Sequence, residues 1–257
     1  RYYMMDRDNR FERVQAAYEM LINGAGDKYA YPDGPKIATS GCVLYADAIN
    51  NNGGSHSNSA TRWTPIIGST KGIKVGSPTW TVNGLNTSNG GFYFQKTTGM
   101  KAITAEAVFT PLKNPNSYNR VFTSVETPGG FSIDVRPTDS IGVSFPTKNT
   151  GSNYWASQHT IPLKNLLNNI WYVCIRHYGS KSSYYIHNYG WASEHFYSLG
   201  EIGMTPFAVG YNPDSSGGIQ TGNEFNGIVH SVRLYNRAIS EDEMFENLAY
   251  EKSRYGF

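Results

Sequence analysis

The 257-residue chain sets 22 Lys and Arg against 20 Asp and Glu, a net charge of +2, and charged residues make up only 16% of it. That balance excludes a polyanion-binding surface built on charge, so nucleic acid is not an expected partner. No stretch of about 18 apolar residues is present to insert into a bilayer, and the length suffices for one large β-sandwich with an appendage.

The first 26 residues read as a helix. After Asp8 and Asn9, which suit a helix start, Phe11, Val14, Tyr18 and Leu21 recur at helical spacing, and Asn23-Gly24 supplies a stop. Residues 27–40 form a turn-rich linker in which Pro32-Asp33-Gly34-Pro35 breaks regular structure. The expected organisation is therefore a helical appendage at 1–26, a linker at 27–40 and a β domain at 41–257.

From Gly41 the grammar changes to short apolar or alternating runs punctuated by Gly, Asn, Ser and Pro. Strands are predicted at 42–49, 91–95, 102–111, 120–126, 131–137, 140–145, 169–178, 182–189, 206–211 and 226–237. Within 102–111, Ala105, Ala107 and Phe109 point one way and Glu106, Val108 and Thr110 the other. So many strands exceed an immunoglobulin sandwich and fit an all-β, two-sheet antiparallel jelly roll. The chain closes on a short helix whose start carries a capping box, Ser240 with Glu243 three residues later. Cys42 and Cys174 match no metal-ligand spacing. Each sits in an apolar strand-like run, which favours two buried thiols over one bridge.

Three stretches carry a resemblance. GCVLYADAINNNGGSHSNSATRW, NIWYVCIRHYGSKSSYYIHNYG and FNGIVHSVRLYNRAISEDEMFENLAYEKSRYG resemble the opening, central strand pair and ending of bacterial and phage laminin-G-like jelly-roll domains, over about 37–256. This resemblance implies a concanavalin A-like lectin/glucanase fold, found in extracellular bacterial proteins and virion fibres, whose members bind glycans, attach to surfaces or serve as structural modules. Fold alone does not fix which. The opening, RYYMMDRDNRFERVQAAYEMLINGAG, is similar instead to cofactor-independent phosphoglycerate mutase, and by that resemblance Arg1 and Arg7 match arginines that contact the phosphorylated substrate. Nothing downstream resembles that enzyme's metal clusters or phosphate-carrying Ser, so mutase activity of this chain is not expected.

Glucanases on this fold place carboxylates as Glu-x-Asp-x-Glu along one strand face. No such run occurs; Glu106 and Asp134 are solitary in their strands, so the chain is not expected to be an enzyme. Of six histidines, His177 and His187 could meet across a hairpin, but no zinc-type motif is present. Asp47 and Asn50, with Asn51 and Asn52, offer oxygen ligands that would suit calcium; the competing reading is an Asx turn satisfying its own backbone. No other cofactor is expected.

Aromatic residues make up 14% of the chain, which favours sugar binding, since ring faces stack on Trp and Tyr while amides bond hydroxyls. Candidates are Tyr154 and Trp155 first, because GSNYWASQ reads as an exposed loop, then Trp191, Trp80, Tyr211 and Tyr118, with Asn153, Asn188 and Asn212 beside them. Core packing competes for each. The leading expectation is a carbohydrate- or surface-binding module located extracellularly, on a cell surface or on a virion. Its partners would be a glycan or cell-surface polymer, or neighbouring virion or surface chains. The alternatives are a structural virion or display domain without a glycan ligand, and a divergent glycoside hydrolase or mutase-associated fragment.

Overall fold

A computed structural model describes residues 36–95, 100, 102–115, 117–124, 130–137, 139–146, 154–161, 163–178, 181–196, 206–213 and 223–257. The helical appendage expected at 1–26, Arg1 and Arg7 included, lies outside the described residues. Two compact units divide the chain: Arg1–Ala38 with Ser240–Gly256, and Thr39–Ile239 with Phe257.

The second unit is a sandwich of two antiparallel sheets. Its strands are β1 (Cys42–Asp47), β2 (Arg62–Trp63), β3 (Gly72–Gly76), β4 (Thr79–Thr81), β5 (Gly84–Asn86), β6 (Gly90–Phe94), β7 (Ile103–Pro111) and β8 (Asn119–Ser124). After these come β9 (Ser132–Arg136), β10 (Ser140–Pro146), β11 (Tyr154–Thr160), β12 (Trp171–Tyr178), β13 (Lys181–Ile186), β14 (Gly190–Phe196), β15 (Phe207–Val209) and β16 (Gly227–Tyr235), with one helical turn, α1 (Leu163–Leu166), before β12. The first sheet runs β14-β13-β12-β7-β16-β5-β4, and β1 shares the β5 edge of β16; the second runs β11-β10-β9-β8-β15-β6-β3-β2.

Period two decides what fills the space between the sheets. Ala105, Ala107 and Phe109 of β7 join the core, as the alternation predicts, and pair with Ile175, Val173 and Trp171 of β12. Val232 and Leu234 of β16 flank Ala107 and Ala105 from the other side. The second sheet answers with Phe92, Phe94, Phe122, Ile133, Val135, Ile141 and Val143. All nine residues of β7 are buried, so its outward face, Glu106 included, is covered too. Cys42 and Cys174 are free thiols. They sit on β1 and β12, separated by β16 and β7. Three inter-strand spacings of about 4.8 Å exceed the ~7 Å Cα reach of a disulfide.

In the other unit, α2 (Glu241–Tyr255) starts at the predicted capping box: Ser240 Oγ accepts from the Glu243 N–H, and the Glu243 carboxylate accepts from the Ser240 N–H. Gly256 ends it in the left-handed region at φ 71°. Six strands, β2 to β5, β11 and β14, were not predicted. Most are two or three residues long, or polar, and take their strand geometry from the neighbour they pair with.

Candidate functional site

The end of the first sheet where β7 stops and β12 and β16 begin carries a cleft of about 580 Å³. One wall comes from the α1–β12 connection. Asn168 turns the chain at φ 61° and its N–H donates to the Pro111 carbonyl at 2.8 Å. Asn169 Nδ2 donates to the Asn165 carbonyl at 2.9 Å, and the Trp171 indole N–H donates to the Leu166 carbonyl at 2.9 Å, which fixes the ring. Asn is the non-glycine residue best suited to such a turn, because its short polar side chain tolerates positive φ.

The opposite wall is the β13–β14 hairpin. Ile186 pairs with Gly190, leaving His187, Asn188 and Tyr189 as a three-residue loop. The Tyr189 N–H donates to the Ile186 carbonyl at 3.0 Å, and Asn188 and Gly190 take φ of 72° and 80°. That turn presents the Tyr189 ring, 39% exposed, beside Trp171 at a centroid distance of 6.0 Å and 33° between planes. His187 is buried with its ring edge-on to Phe257 at 5.3 Å. No Lys, Arg, Asp or Glu lines the cleft among the described residues; its polar groups are Asn165, Asn169, Asn188 and His187. Tilted aromatic surface beside amides can take the apolar face of a ring and exchange hydrogen bonds with hydroxyls.

The predicted site residues scatter. Tyr154 and Trp155 lie on β11, the edge strand of the second sheet, paired with Pro146 and Phe145, so the expected exposed loop is corrected to a strand. Asn153 lies outside the described residues. Tyr211 is fully buried, and Asn212 is buried beside it in sequence, against the expected exposure. Trp80 packs on the core: its ring meets Trp63 edge-on at 5.2 Å and its indole N–H donates to the Ala60 carbonyl at 2.8 Å. Trp191 on β14 lies under the Arg176 guanidinium at 4.0 Å. Tyr118 is 49% exposed and faces Arg120 and Arg136, which share the buried Asp134 carboxylate. Asp47 is buried and accepts from the Ile49 N–H at 3.1 Å and from Asn50 Nδ2 at 2.6 Å, an Asx-type turn. His177 and His187 do not meet: His177 pairs with Ser182, while the His187 N–H reaches the Tyr172 carbonyl at the far end of the hairpin.

Of the predicted sugar-binding residues, only Asn188 belongs to the cleft, together with His187, which the sequence suggests only as a partner of His177. Trp171 and Tyr189 went unrecognised because they read as continuations of strands. The one local signal was Asn188-Tyr189-Gly190, a turn triplet after an alternating run.

Residues 1–40 match the family model described as "BPG-independent PGAM N-terminus". Over 28 residues the chain is 64% identical to the 2,3-bisphosphoglycerate-independent phosphoglycerate mutases of Bacteroides fragilis and Bacteroides thetaiotaomicron, which is 11% of this chain and 6% of each enzyme. Trypanosoma rangeli sialidase in complex with sialic acid superimposes with a TM-score of 0.61 at 13% identity, covering 94% of this chain and 39% of that one. The botulinum neurotoxin serotype D binding domain superimposes with a TM-score of 0.59 at 11% identity, covering 82% of this chain and 52% of that one. The chain thus spans a small fraction of the mutases and well under half of the sialidase.

At these identities the structural likeness shows the fold, an antiparallel two-sheet β-sandwich, and no residue is carried over. It also corrects one expectation. The missing carboxylate run was read as placing the chain apart from enzymes, yet sialidases share its fold and mutases share its opening. The physical reason is that a fold does not fix function, so the lack of one carboxylate pattern does not set the chain apart from enzymes.

Proposed function

We propose that the sandwich is a carbohydrate-binding module whose site is the cleft between the α1–β12 connection and the β13–β14 hairpin. One observation carries the reading: Tyr189 is held partly exposed beside Trp171 in a cleft whose other polar groups are amides and one imidazole. A partly exposed tyrosine ring offers an apolar face that the C–H face of a sugar ring can cover while its hydroxyls reach the amides. The fold shared with a sialidase solved in complex with sialic acid supports a glycan as the kind of partner. A setting outside the cell or on a virion accompanies this reading, and surface accessibility to antibody on intact cells or particles tests it.

The experiment is a glycan array probed with the purified chain, a Tyr189→Ala variant and a Tyr154→Ala/Trp155→Ala variant. Selective binding that Tyr189→Ala abolishes places the site in the cleft. Binding lost only in the double variant moves the site to β11. An array that stays blank for the unaltered chain refutes carbohydrate binding across that repertoire.

A further inference from the structure

The same rim holds a second cleft, and we infer that the glycan ligand is an oligosaccharide lying across both clefts rather than a single sugar; this rests on the carbohydrate reading above. The second cleft, about 220 Å³, is lined by Lys113, Asn114, Ser117, Asn119 and Glu224 among others. Its walls are tied by side chains: Asn119 Nδ2 donates to the Glu224 carbonyl, and Ser117 Oγ donates to Asn223 Oδ1 at 3.2 Å. Asn114 Oδ1 is shielded from solvent and accepts no hydrogen bond among the described residues. A buried acceptor without a donor costs about 1–3 kcal/mol, which a ligand hydroxyl relieves once the side chains over it part.

Two backbone hydrogen bonds make the clefts neighbours. The Asn168 N–H donates to the Pro111 carbonyl at 2.8 Å, and Leu112, the residue after the end of β7, donates its N–H to the Asn226 carbonyl at 2.9 Å. Asn169 lines the first cleft and Asn226 the second, so the end of β7 is the ridge between them, topped by Leu112 at 40% exposure. β12 and β16 flank β7 directly, Trp171 opposite Phe109 and Gly227 opposite Pro111, so their first residues stand about 12 Å apart at the usual strand spacing and rise. Two linked sugar rings cover such a distance. The first cleft offers aromatic faces, and the second offers no aromatic ring but Lys113, three amides, Ser117 and Glu224 around Pro115, which suits stacking at one unit and hydroxyl bonding at the next. A second contact made by the same ligand adds affinity without a second cost in translational freedom.

Titration calorimetry with chito-, malto- and cello-oligosaccharide series, from monosaccharide to hexasaccharide, tests the inference on the unaltered chain and on Asn114→Ala, Lys113→Ala and Tyr189→Ala. In the series that binds, affinity rises from the monosaccharide to the longer members. Asn114→Ala lowers affinity for those longer members about tenfold and leaves the monosaccharide unchanged, while Tyr189→Ala weakens both. Lys113 is exposed, so Lys113→Ala decides the matter if Asn114→Ala unfolds. Equal affinity at every length, or long-chain affinity untouched by both second-cleft variants, overturns the inference and leaves the carbohydrate reading standing. Failure of the unaltered chain to bind any member of any series removes both.

Discussion

Tyr172 donates its phenolic hydrogen to Glu106 Oε1 over 2.6 Å, on the face of the first sheet that turns away from the core. The Arg233 guanidinium meets the other carboxylate oxygen at 3.3 Å and stacks over the Tyr45 ring at 4.3 Å. All four side chains are buried to within 1%. Removing Glu106 takes a carboxylate away from a buried cation and a buried phenol, so Glu106→Ala is expected to cost about 3–5 kcal/mol, and Tyr172→Phe about 1–3 kcal/mol. Urea unfolding followed by tryptophan fluorescence checks both, and a Glu106→Ala midpoint equal to that of the unaltered chain contradicts the assignment.

Alkaline pH should destabilise this sandwich earlier than its carboxylates would suggest. Burial pushes the Cys42 thiol from 9.0 up to about 12, with Glu106 adding to the rise and Arg233 opposing it. Burial, reinforced by Glu106, also raises Cys174 well above 9.0 and Tyr172 well above 10.0. A group protonated in the folded state and ionised in the unfolded one stabilises fully below its unfolded pKa and ceases to as pH climbs to its folded value. For Cys42 that window is pH 9 to about 12. The urea midpoint should therefore fall progressively above about pH 9, and less steeply in a Cys42→Ser/Cys174→Ala variant. A midpoint flat up to about pH 11 contradicts this.

Cys42 should be chemically quiet. With its pKa near 12, only on the order of one thiol in ten thousand is thiolate at about pH 8. Iodoacetamide labelling of the folded chain, read by mass spectrometry, is expected to run at least about a hundredfold slower than in urea. Equal rates would mean that the thiol is not shielded.

Two tyrosines should respond in opposite ways. Tyr211 is fully buried, so Tyr211→Ala should cost about 3–5 kcal/mol through the cavity it leaves. Tyr189 is partly exposed on a hairpin, so Tyr189→Ala should cost under about 1.5 kcal/mol while abolishing glycan capture. Thermal melts run beside the glycan array separate the two effects, and a large melting loss for Tyr189→Ala would make its role structural.

Gly91 is a packing requirement of the second sheet. A Cβ there would overlap the carbonyl oxygen of Val209 on β15, and backbone cannot rotate away as a side chain can. Gly91→Ala is expected to cost about 2 kcal/mol or more by forcing β6 and β15 apart. Gly54→Ala, on an open turn with nothing near its Cβ position, is the control, although its φ of 108° still carries some strain.

Local pattern sufficed wherever a strand was long and alternating or a cap was chemical. The inward set of β7 and the Ser240–Glu243 box are legible because both depend on spacing within ten residues. Tyr154 and Trp155 misled for the opposite reason: seven polar-looking residues became β11 because β10 offered an edge to pair with. Glu106 and Asp134, solitary as carboxylates in their strands, found partners that carboxylate spacing did not reveal: Tyr172 and Arg233 on neighbouring strands for Glu106, and Arg120 on β8 with Arg136 of its own strand for Asp134.

The sequence by itself determined the class of this protein, an antiparallel sandwich followed in the chain by a capped helix, because period-two alternation and turn chemistry are properties of neighbours in the chain. Tertiary structure alone decided the site. The cleft joins Asn165 and Asn169 before β12, His187 to Tyr189 after β13, and Phe257 far beyond. Those positions converge only when β12 and β13 pair and the chain's last residue returns to the same rim. No local spacing encodes that meeting, since it is set by sheet register and by the burial that fixes it.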